Sequence, residues 1–305
     1  MHRTIRELFV DRDRQLAAFR AMLGGQSSRR IMIVRAEEGM GKTWLLQTFA
    51  SEAEARGLPH VYVDFGDGQS YDSLSLVRHF RDALGVEQFP HLNEAIAAVL
   101  APQLKIATDG AKTPSVNINV EGSTLANSPV TVQDVGTIVK NNTFVFQTDS
   151  PIIRQAIEDR VTTAVFDDLA ALSQHTTPVF LFDTYERTST QIDGWVPNEA
   201  DRWICGQLLA RIRDQRLQNV VVVIAGERTP EFGAEWNGVL GRMALHPLEC
   251  SDVDVYLRQR RGLASISDAE IQVLCQAVNG SPQVLGLVGD NLELSKNPAA
   301  RDDEW

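Results

Sequence analysis

The residues best suited to do chemistry lie in the stretch 31–43, which reads IMIVRAEEGMGKT. Four apolar residues lead into a turn that contains Gly39 and Gly41, and the turn ends in Gly-Lys-Thr before an amphipathic segment. A strand, a glycine-containing turn and a helix in this order build a phosphate-binding loop. Backbone N–H groups at the helix start would bind phosphate oxygens, and the glycines would let the backbone pass close to them.

Two side chains of this loop have specific expected roles. Lys42 would contact the β- and γ-phosphates of a nucleotide, and the Thr43 hydroxyl would bind Mg²⁺. The usual motif, G-x-x-x-x-G-K-[ST], has a glycine where this chain has Ala36, which fits only if the backbone φ there is negative. The alternative is a chance Gly-Lys-Thr on a surface turn, which the flanking strand and helix disfavour. Other loop residues expected to touch the nucleotide are Glu38, Met40 and Trp44.

A second set of candidates follows apolar runs further along the chain. Asp183 ends one such run, where a carboxylate would bind Mg²⁺ beside the phosphate loop. Glu186 is the nearest acid that could activate the attacking water, with a solvated loop glutamate as the alternative. Arg228 ends another run, where it would stabilise charge on the γ-phosphate, or else form a surface salt bridge with Glu227 or Glu231. Arginines that could act on a neighbouring subunit's nucleotide are Arg211, Arg213, Arg216 and Arg242.

The elements that must position these residues follow from the hydrophobic pattern. Apolar runs separated by helical segments of ten to fifteen residues indicate βαβ units and a parallel sheet. The fold class predicted is therefore α/β, a P-loop NTPase with a mainly parallel sheet flanked by helices. Strands are predicted at 31–34, 60–65, 179–182, 220–228 and 243–248. Helices are predicted near 16–23 and at 41–56, 73–84, 92–100, 151–173, 199–215, 253–261, 267–277 and 282–293.

The chain divides into five predicted parts. Residues 1–102 and 151–249 would be the two halves of the core, and 250–295 a small helical lid that ends before a flexible tail, 296–305. Ser251 and Ser267 are the expected N-caps of the lid helices, and Gly262 a helix stop. Residues 103–150 form a β-rich insertion, because apolar and polar residues alternate at 116–120, 130–132 and 144–146. It could be a self-contained or disordered insertion, or an arm that pairs with a partner through an open edge.

Composition narrows the class of protein. A net charge of −11 over 305 residues disfavours an overall electrostatic grip on nucleic acid or an anionic membrane. The three cysteines have no metal-binding spacing, so they are expected to be reduced and buried, in a cytoplasmic protein. No apolar run approaches the length of a membrane span or a signal segment. The chain also lacks the N-K-x-D element of guanine recognition, which favours adenine.

The phosphate loop, the Asp183 and Arg228 strands and the helical C-terminal part resemble the STAND and AAA+ group of P-loop ATPases. The segment FVDRDRQL, residues 9–16, is similar to the segment that lies beside the adenine in this group, which implies contacts from Val10 and Arg12. The usual glycine before the arginine is Asp11 here. The run Asn-Gly-Ser-Pro at 279–282 resembles the group's G-x-P element and implies a contact from Pro282 near the base.

This resemblance implies an ATP- and Mg²⁺-dependent switch that hydrolyses slowly and couples its nucleotide state to self-assembly or to a separate effector. Such switches commonly serve signalling, including prokaryotic defence against phage. Two alternatives stay open. One is a DNA-associated regulator of the AAA+ kind, which the acidic balance disfavours. The other is a hydrolysis-deficient nucleotide-binding scaffold, which Ala36 and the absence of an acid next to Asp183 make credible.

Overall fold

The structure is a computed structural model that describes residues 10–106, 119–120, 123–124 and 151–296, with side chains for 10–98 and 155–295. Met1–Ser70 together with Thr177–Trp305 form one compact unit, and Tyr71–Thr176 form a second. Phe9, most of the predicted insertion 103–150 and the predicted tail from 297 onward lie outside the described residues.

Five parallel strands form the sheet of the first unit: β1 (Ile31–Arg35), β2 (His60–Asp64), β5 (Val179–Asp183), β6 (Val221–Gly226) and β7 (Leu240–Ala244). Their order is β2-β5-β6-β1-β7, so β6 separates β1 from β5. β5 and β6 are buried along their whole length, whereas the edge strand β2 alternates between buried and half-buried residues. This is the pattern of a parallel sheet covered by helices on both faces, and it confirms the predicted fold class.

Helices connect and cover these strands. The described α-helices are α1 (Asp13–Leu23), α2 (Lys42–Ala55), α3 (Ser73–Leu84), α4 (Pro90–Ile106), α5 (Pro151–Ser173), α6 (Glu199–Trp203), α7 (Ala210–Arg213), α8 (Cys250–Asp254), α9 (Asp268–Val278) and α10 (Pro282–Lys296). A π-helical segment, Ile204–Leu209, joins α6 to α7, and a second, Val255–Arg260, continues α8. Among the described helices, none combines the length and the apolar composition needed to cross a lipid bilayer.

The core of the first unit lies between one face of the sheet and the helices α1 and α2. Phe19 of α1 and Phe49 of α2 are fully buried, and their rings stack with centroids 4.1 Å apart. Alternate residues of β1, β5 and β6 face them, including Val34, Leu181 and Val223. Because α2 starts at the phosphate loop, this apolar contact fixes where the loop meets the sheet.

Two predicted boundaries of the first unit are wrong. The last strand lies at Leu240–Ala244 rather than 243–248, because Pro247 has no N–H to donate to a sheet ladder. The helix expected at 253 begins at Cys250, with Glu249 rather than Ser251 as its N-cap. The Asp252 carboxylate accepts the Glu249 N–H at 2.8 Å, which places the N-cap two residues earlier than predicted.

The other lid predictions agree with the structure. Ser267 caps α9 in a capping box with Glu270, and Gly262 has the left-handed φ of +69° that stops the preceding helix. A separate apolar cluster packs the lid, with Val253, Leu257 and Leu285 among its buried residues.

The cysteine prediction is wrong for two of the three residues. Cys250 of α8 and Cys275 of α9 form a disulfide, with their Cα atoms 5.4 Å apart. They are 25 residues apart in sequence, and only the packing of the two lid helices brings them together. Cys205 is free and half-buried, and burial is the main cause of the raised pKa of its thiol.

In the second unit, α3 and α4 each pack on α5. α4 runs from Pro90 to Ile106, so residues 103–106 are helical and the insertion does not begin at 103. α5 begins at Pro151, as its sequence predicts. Two short strands, β3 (Asn119–Val120) and β4 (Ser123–Thr124), pair antiparallel. The other predicted strands of the insertion lie outside the described residues.

Candidate functional site

The turn between β1 and α2 forms a cradle of backbone N–H groups. Gly39 has a φ of +75° and Gly41 a φ of +82°, conformations that glycine adopts without steric cost. Gly41 immediately precedes α2, so the first-turn N–H groups of that helix, which have no intrahelical acceptor, are available to an anion. Ala36 has a φ outside the left-handed region, so an alanine fits where the usual motif has glycine.

Lys42, the first residue of α2, reaches back over this turn. Its ammonium donates to the carbonyl oxygen of Ala36 at 2.9 Å and to that of Glu37 at 2.8 Å. An ammonium has three donors, so a third remains for an anionic acceptor. The side chain of Thr43, the next residue, is exposed at the start of the helix.

Asp183 ends β5 with a carboxylate that is only 1% exposed. Its Oδ2 accepts the hydroxyl of Tyr62 on β2 at 2.7 Å, and its Oδ1 accepts the backbone N–H of Thr184 at 2.8 Å. Burial, and then the hydrogen bond to Asp183, raise the pKa of the Tyr62 hydroxyl above its ordinary value, so this hydroxyl stays protonated and donates. The acid is thus held by two donors at the carboxyl end of the sheet.

Glu186 lies in a short 3₁₀ turn, Tyr185–Thr188, that follows β5. Its Oε2 accepts the backbone N–H of Glu227, just after β6, at 2.9 Å. A Cβ atom added at Gly226 would lie 2.7 Å from the same oxygen, so a glycine at the end of β6 leaves space for this carboxylate. Glu186 is therefore an ordered side chain beside β6 rather than a freely solvated loop residue.

Arg228 is committed to a neighbouring loop. Its Nη1 donates to the carbonyl oxygens of Gln191 at 3.1 Å, Ile192 at 2.6 Å and Gly194 at 2.9 Å. Carbonyl groups, rather than the carboxylate of Glu227 or Glu231, are the partners of this nitrogen. Arg228 lines the same cavity as Gln191 and Ile192 of this loop.

The N-terminal segment before α1 bends sharply toward the phosphate loop. Asp11 has a φ of +56° and Arg12 a φ of +80°, so both residues occupy the left-handed region that favours glycine. Arg12 is 4% exposed, pairs with Asp11 and donates to the carbonyl oxygen of Met40 at 3.3 Å. Burial is the largest influence on the pKa of its guanidinium and lowers it. Arg12 thus connects this segment to the loop.

The first turn of α10 lies directly against the phosphate loop. The Gln283 backbone N–H donates to the Gly39 carbonyl oxygen at 3.3 Å. A Cβ atom at Gly41 would lie 3.6 Å from the ring of Pro282, and one at Gly39 would lie 2.9 Å from Oε1 of Gln283. The glycine at position 39 therefore leaves room for the Gln283 side chain of the lid helix, whereas a Cβ at Gly41 would make only ordinary van der Waals contact with Pro282.

A single cavity of about 1050 Å³ brings the predicted site residues together. Those lining it are Val10, Arg12, Glu38, Gly39, Met40, Gly41, Lys42, Thr43, Trp44, Asp183, Glu186, Arg228 and Pro282. The candidate trans-acting arginines do not line it: Arg211 donates to Gln207, Arg213 pairs with Asp214, and Arg242 donates to the Phe232 carbonyl.

Sequence reasoning missed other residues of this site. Gln283, Tyr256 and Asp290 line the cavity from the lid, and Arg187 and Ile192 line it from the segment after β5. Tyr62 and Asp64 reach it indirectly, through Asp183 and Thr184. The alternation of polar and apolar residues along β2 was the available signal for these two, because it puts both on one face of the strand.

The residues that line this cavity fit a nucleoside triphosphate with Mg²⁺. The turn at Gly39 and Gly41 and the first-turn N–H groups of α2 form a concave set of backbone donors, which is the property expected of a backbone site for phosphate. One carboxylate, Asp183, and one hydroxyl, Thr43, match the few protein oxygen ligands with which Mg²⁺ accompanies a nucleotide. The described residues contain no cluster of three or more His, Cys, Asp or Glu side chains that could hold a metal by itself.

Comparisons with known proteins found a match only among solved structures. No described protein family and no curated protein matches the sequence. Among solved structures, the chain is similar to AMPPCP-bound DnaA from Aquifex aeolicus, with a TM-score of 0.42 and 14% identity over 98% of this chain and 69% of that one. The parallel sheet and the glycine-containing loop of this chain define its fold class by themselves.

Proposed function

We propose that this chain binds ATP with Mg²⁺ in the cavity beside α2 and hydrolyses it slowly, as a nucleotide-dependent switch. One observation carries this proposal: the cradle at Gly39 and Gly41, the ammonium of Lys42 and the buried carboxylate of Asp183 line the same cavity. These are the three kinds of group that a triphosphate and its metal require: amide donors, a cation and an acid.

Each residue has a distinct role in the proposed reaction. The loop amides and Lys42 bind the β- and γ-phosphate oxygens, while Thr43 and Asp183 hold the metal. When bound, Mg²⁺ neutralises charge on these phosphates. Glu186 accepts a proton from the attacking water, and Arg228 donates to the γ-phosphate oxygens. The Glu227 N–H already contacts Glu186 at 2.9 Å, so a backbone donor orients this carboxylate.

Val10, Trp44 and Pro282 would surround the adenine. Trp44 follows Thr43, is 39% exposed and lines the cavity, so we propose that its ring stacks on the base. Arg12 has a different role, because its contacts with Asp11 and the Met40 carbonyl make it a support of the loop.

The contacts of the phosphate loop suggest how nucleotide binding would act as a switch. The first turn of α10 hydrogen bonds to Gly39, so any change of the loop on nucleotide binding is transmitted to the lid. Arg228 would respond in the same way, since the γ-phosphate and the carbonyls of 191–194 compete for one guanidinium. From the resemblance to STAND ATPases, we further propose that the switch drives self-assembly or a separate effector in prokaryotic signalling or phage defence, in the cytoplasm, with the part of the insertion after Ile106, residues 107–150, as the contact arm.

Lys42→Ala tests the nucleotide site. The third donor of the ammonium would supply one charge-assisted hydrogen bond of about 1.5–3 kcal/mol to the phosphates, so ATP affinity should fall about 10- to 100-fold. Isothermal titration calorimetry with ATP and Mg²⁺ measures this, and Arg202→Ala, an exposed basic residue away from the cavity, is the matched control. Unchanged affinity in Lys42→Ala, with a native far-UV spectrum, would refute the phosphate-loop assignment.

Sizing of the full chain by light scattering, with and without a non-hydrolysable ATP analogue, tests the switch. An increase in mass that Lys42→Ala abolishes is expected if nucleotide drives self-assembly. An unchanged mass excludes self-assembly and leaves a separate effector as the partner.

A nucleotide-binding scaffold without hydrolysis is the second candidate, and one observation favours it. Thr184 rather than an acid follows Asp183, and Glu186, the next acid along the chain, already accepts a backbone hydrogen bond. A purified protein that binds ATP but releases no phosphate over hours would select the scaffold.

A further inference from the structure

Strand β2 presents two polar side chains to the end of β5. Residues of β2 alternate between half-buried and buried, so Tyr62 and Asp64 share one face. The two strands pair in parallel with Tyr62 opposite Leu181 and Asp64 opposite Asp183. Tyr62 therefore lies diagonal to Asp183, a separation that a long aromatic side chain can span.

A hydrogen bond from Tyr62 of β2 holds the carboxylate of Asp183, which belongs to β5. The Tyr62 hydroxyl donates to Oδ2 of Asp183 at 2.7 Å, while the Thr184 N–H donates to Oδ1 at 2.8 Å. A carboxylate can accept about four hydrogen bonds, so these two donors leave capacity for a metal or water while restricting rotation of the group. The carboxylate is 1% exposed, so solvent contributes little to its orientation.

The residue after the acid is held by the same strand. Thr184 has a φ of +52°, which a β-branched residue seldom adopts, and its hydroxyl donates to Oδ1 of Asp64 at 2.7 Å. The Gly66 N–H donates to the same oxygen at 2.8 Å. β2 thus supports both the carboxylate of Asp183 and the turn that leads to Glu186.

We propose that Tyr62 is a positioning residue: its hydroxyl orients the Asp183 carboxylate toward the Mg²⁺ that accompanies the bound nucleotide. The inference rests on the proposed function, because the metal arrives with ATP. Groups that hydrogen bond to a metal ligand typically change metal affinity or activity 10–100-fold when they are removed. Neither the phosphate-loop motif nor the acid after β5 identifies Tyr62, which acts from a different strand.

Tyr62→Phe separates this role from simple packing. The aromatic ring packs against the core of the first unit, and phenylalanine keeps the ring while removing only the hydroxyl. The measurement is the Kd of a fluorescent ATP analogue in excess EDTA divided by its Kd in excess Mg²⁺, a ratio that reports the affinity gained from the metal. Nucleotide turnover is not needed for this readout.

In Tyr62→Phe we expect this ratio to fall about tenfold. If the ratio falls less than about tenfold even in Asp183→Asn, which removes the metal-binding carboxylate, we expect Tyr62→Phe to match Asp183→Asn. The Kd in EDTA should change less than about twofold. Tyr185→Phe is the matched control, since it also removes a buried hydroxyl that donates to a carboxylate, that of Asp201 at 2.9 Å. We expect Tyr185→Phe to keep the wild-type ratio.

Two results would overturn the inference while leaving the nucleotide site in place. One is a wild-type ratio in Tyr62→Phe, and the other is an equal loss of affinity in EDTA and in Mg²⁺, which indicates ring packing alone. Failure of the proposed function is distinguishable, because the wild-type chain would then bind no nucleotide in either condition.

Discussion

Asp168 on α5 allows a quantitative prediction for the stability of the second unit. Its carboxylate is 1% exposed and accepts the backbone N–H of Leu92 at 2.9 Å and of His91 at 3.2 Å, and it lies 2.6 Å from Nδ1 of His91. Both backbone donors lie in the first turn of α4, where the helix offers no acceptor of its own. Asp168 therefore joins α5 to the start of α4.

Asp168→Ala removes all of these acceptor contacts at once. Leu92 is fully buried, so its N–H would lose its partner without gaining water. An unpaired buried donor costs about 1–3 kcal/mol and a lost helix cap about 1 kcal/mol. We therefore expect the free energy of unfolding to fall by about 2–4 kcal/mol. Urea unfolding followed by circular dichroism measures the loss, and hydrogen exchange of residues 91–92 localises it to this unit.

Asp167→Ala is the matched control, because this neighbouring acid is exposed. Its effect should stay within about 0.5 kcal/mol. A loss below about 1 kcal/mol in Asp168→Ala, or one equal to that of Asp167→Ala, would contradict the capping role.

His91 adds a pH dependence to this site. The hydrogen bond from its ring to Asp168, and then the charge of that acid, raise the pKa of His91. A raised folded-state pKa means that the added stability is fully present below the ordinary value of about 6.5 and is lost as pH rises through the folded pKa. The stability gap between wild type and Asp168→Ala should therefore narrow with rising pH in this range, and His91→Ala should remove that dependence. A gap that widens would refute the ion pair.

The remaining predictions concern the cavity and the lid. Glu186→Gln should keep ATP affinity within about twofold and reduce phosphate release by about 10²-fold or more, measured by a coupled phosphate assay, if Glu186 activates the water; persistent turnover would exclude that role. Replacing both Cys250 and Cys275 by serine opens a loop of 25 residues and should cost about 3 kcal/mol of lid stability in urea unfolding under oxidising conditions. Cys205→Ser should show no such loss, and equal stability of all three proteins would refute a stabilising disulfide.

Much of the fold could be predicted from local sequence pattern. The strands β1, β5 and β6 can be recognised in the sequence as apolar runs, because a strand buried on both faces must be mostly apolar. Ser267 and Glu270 specify a capping box within four residues of each other. The strand at Leu240–Ala244 was harder to locate, since this edge strand has a mixed pattern and only the position of Pro247 limits it.

The candidate site likewise contains residues that the sequence indicates and contacts that it does not. The loop from Gly39 to Thr43 is contiguous, so its residue types alone indicate a phosphate cradle. The partners of Arg228 could not be predicted, because backbone carbonyls of a loop some 35 residues away carry no side-chain signature.

The amino-acid sequence by itself determined the strand and helix periods, the phosphate-loop motif and the acid that ends β5, because these depend on residues adjacent in the chain. The tertiary structure alone decided that Tyr62 reaches Asp183, that Cys250 meets Cys275 and that the first turn of α10 lies on the loop glycines. Those contacts depend on strand register and on which helices pack together, and both are set by burial summed over the whole unit rather than by any short segment.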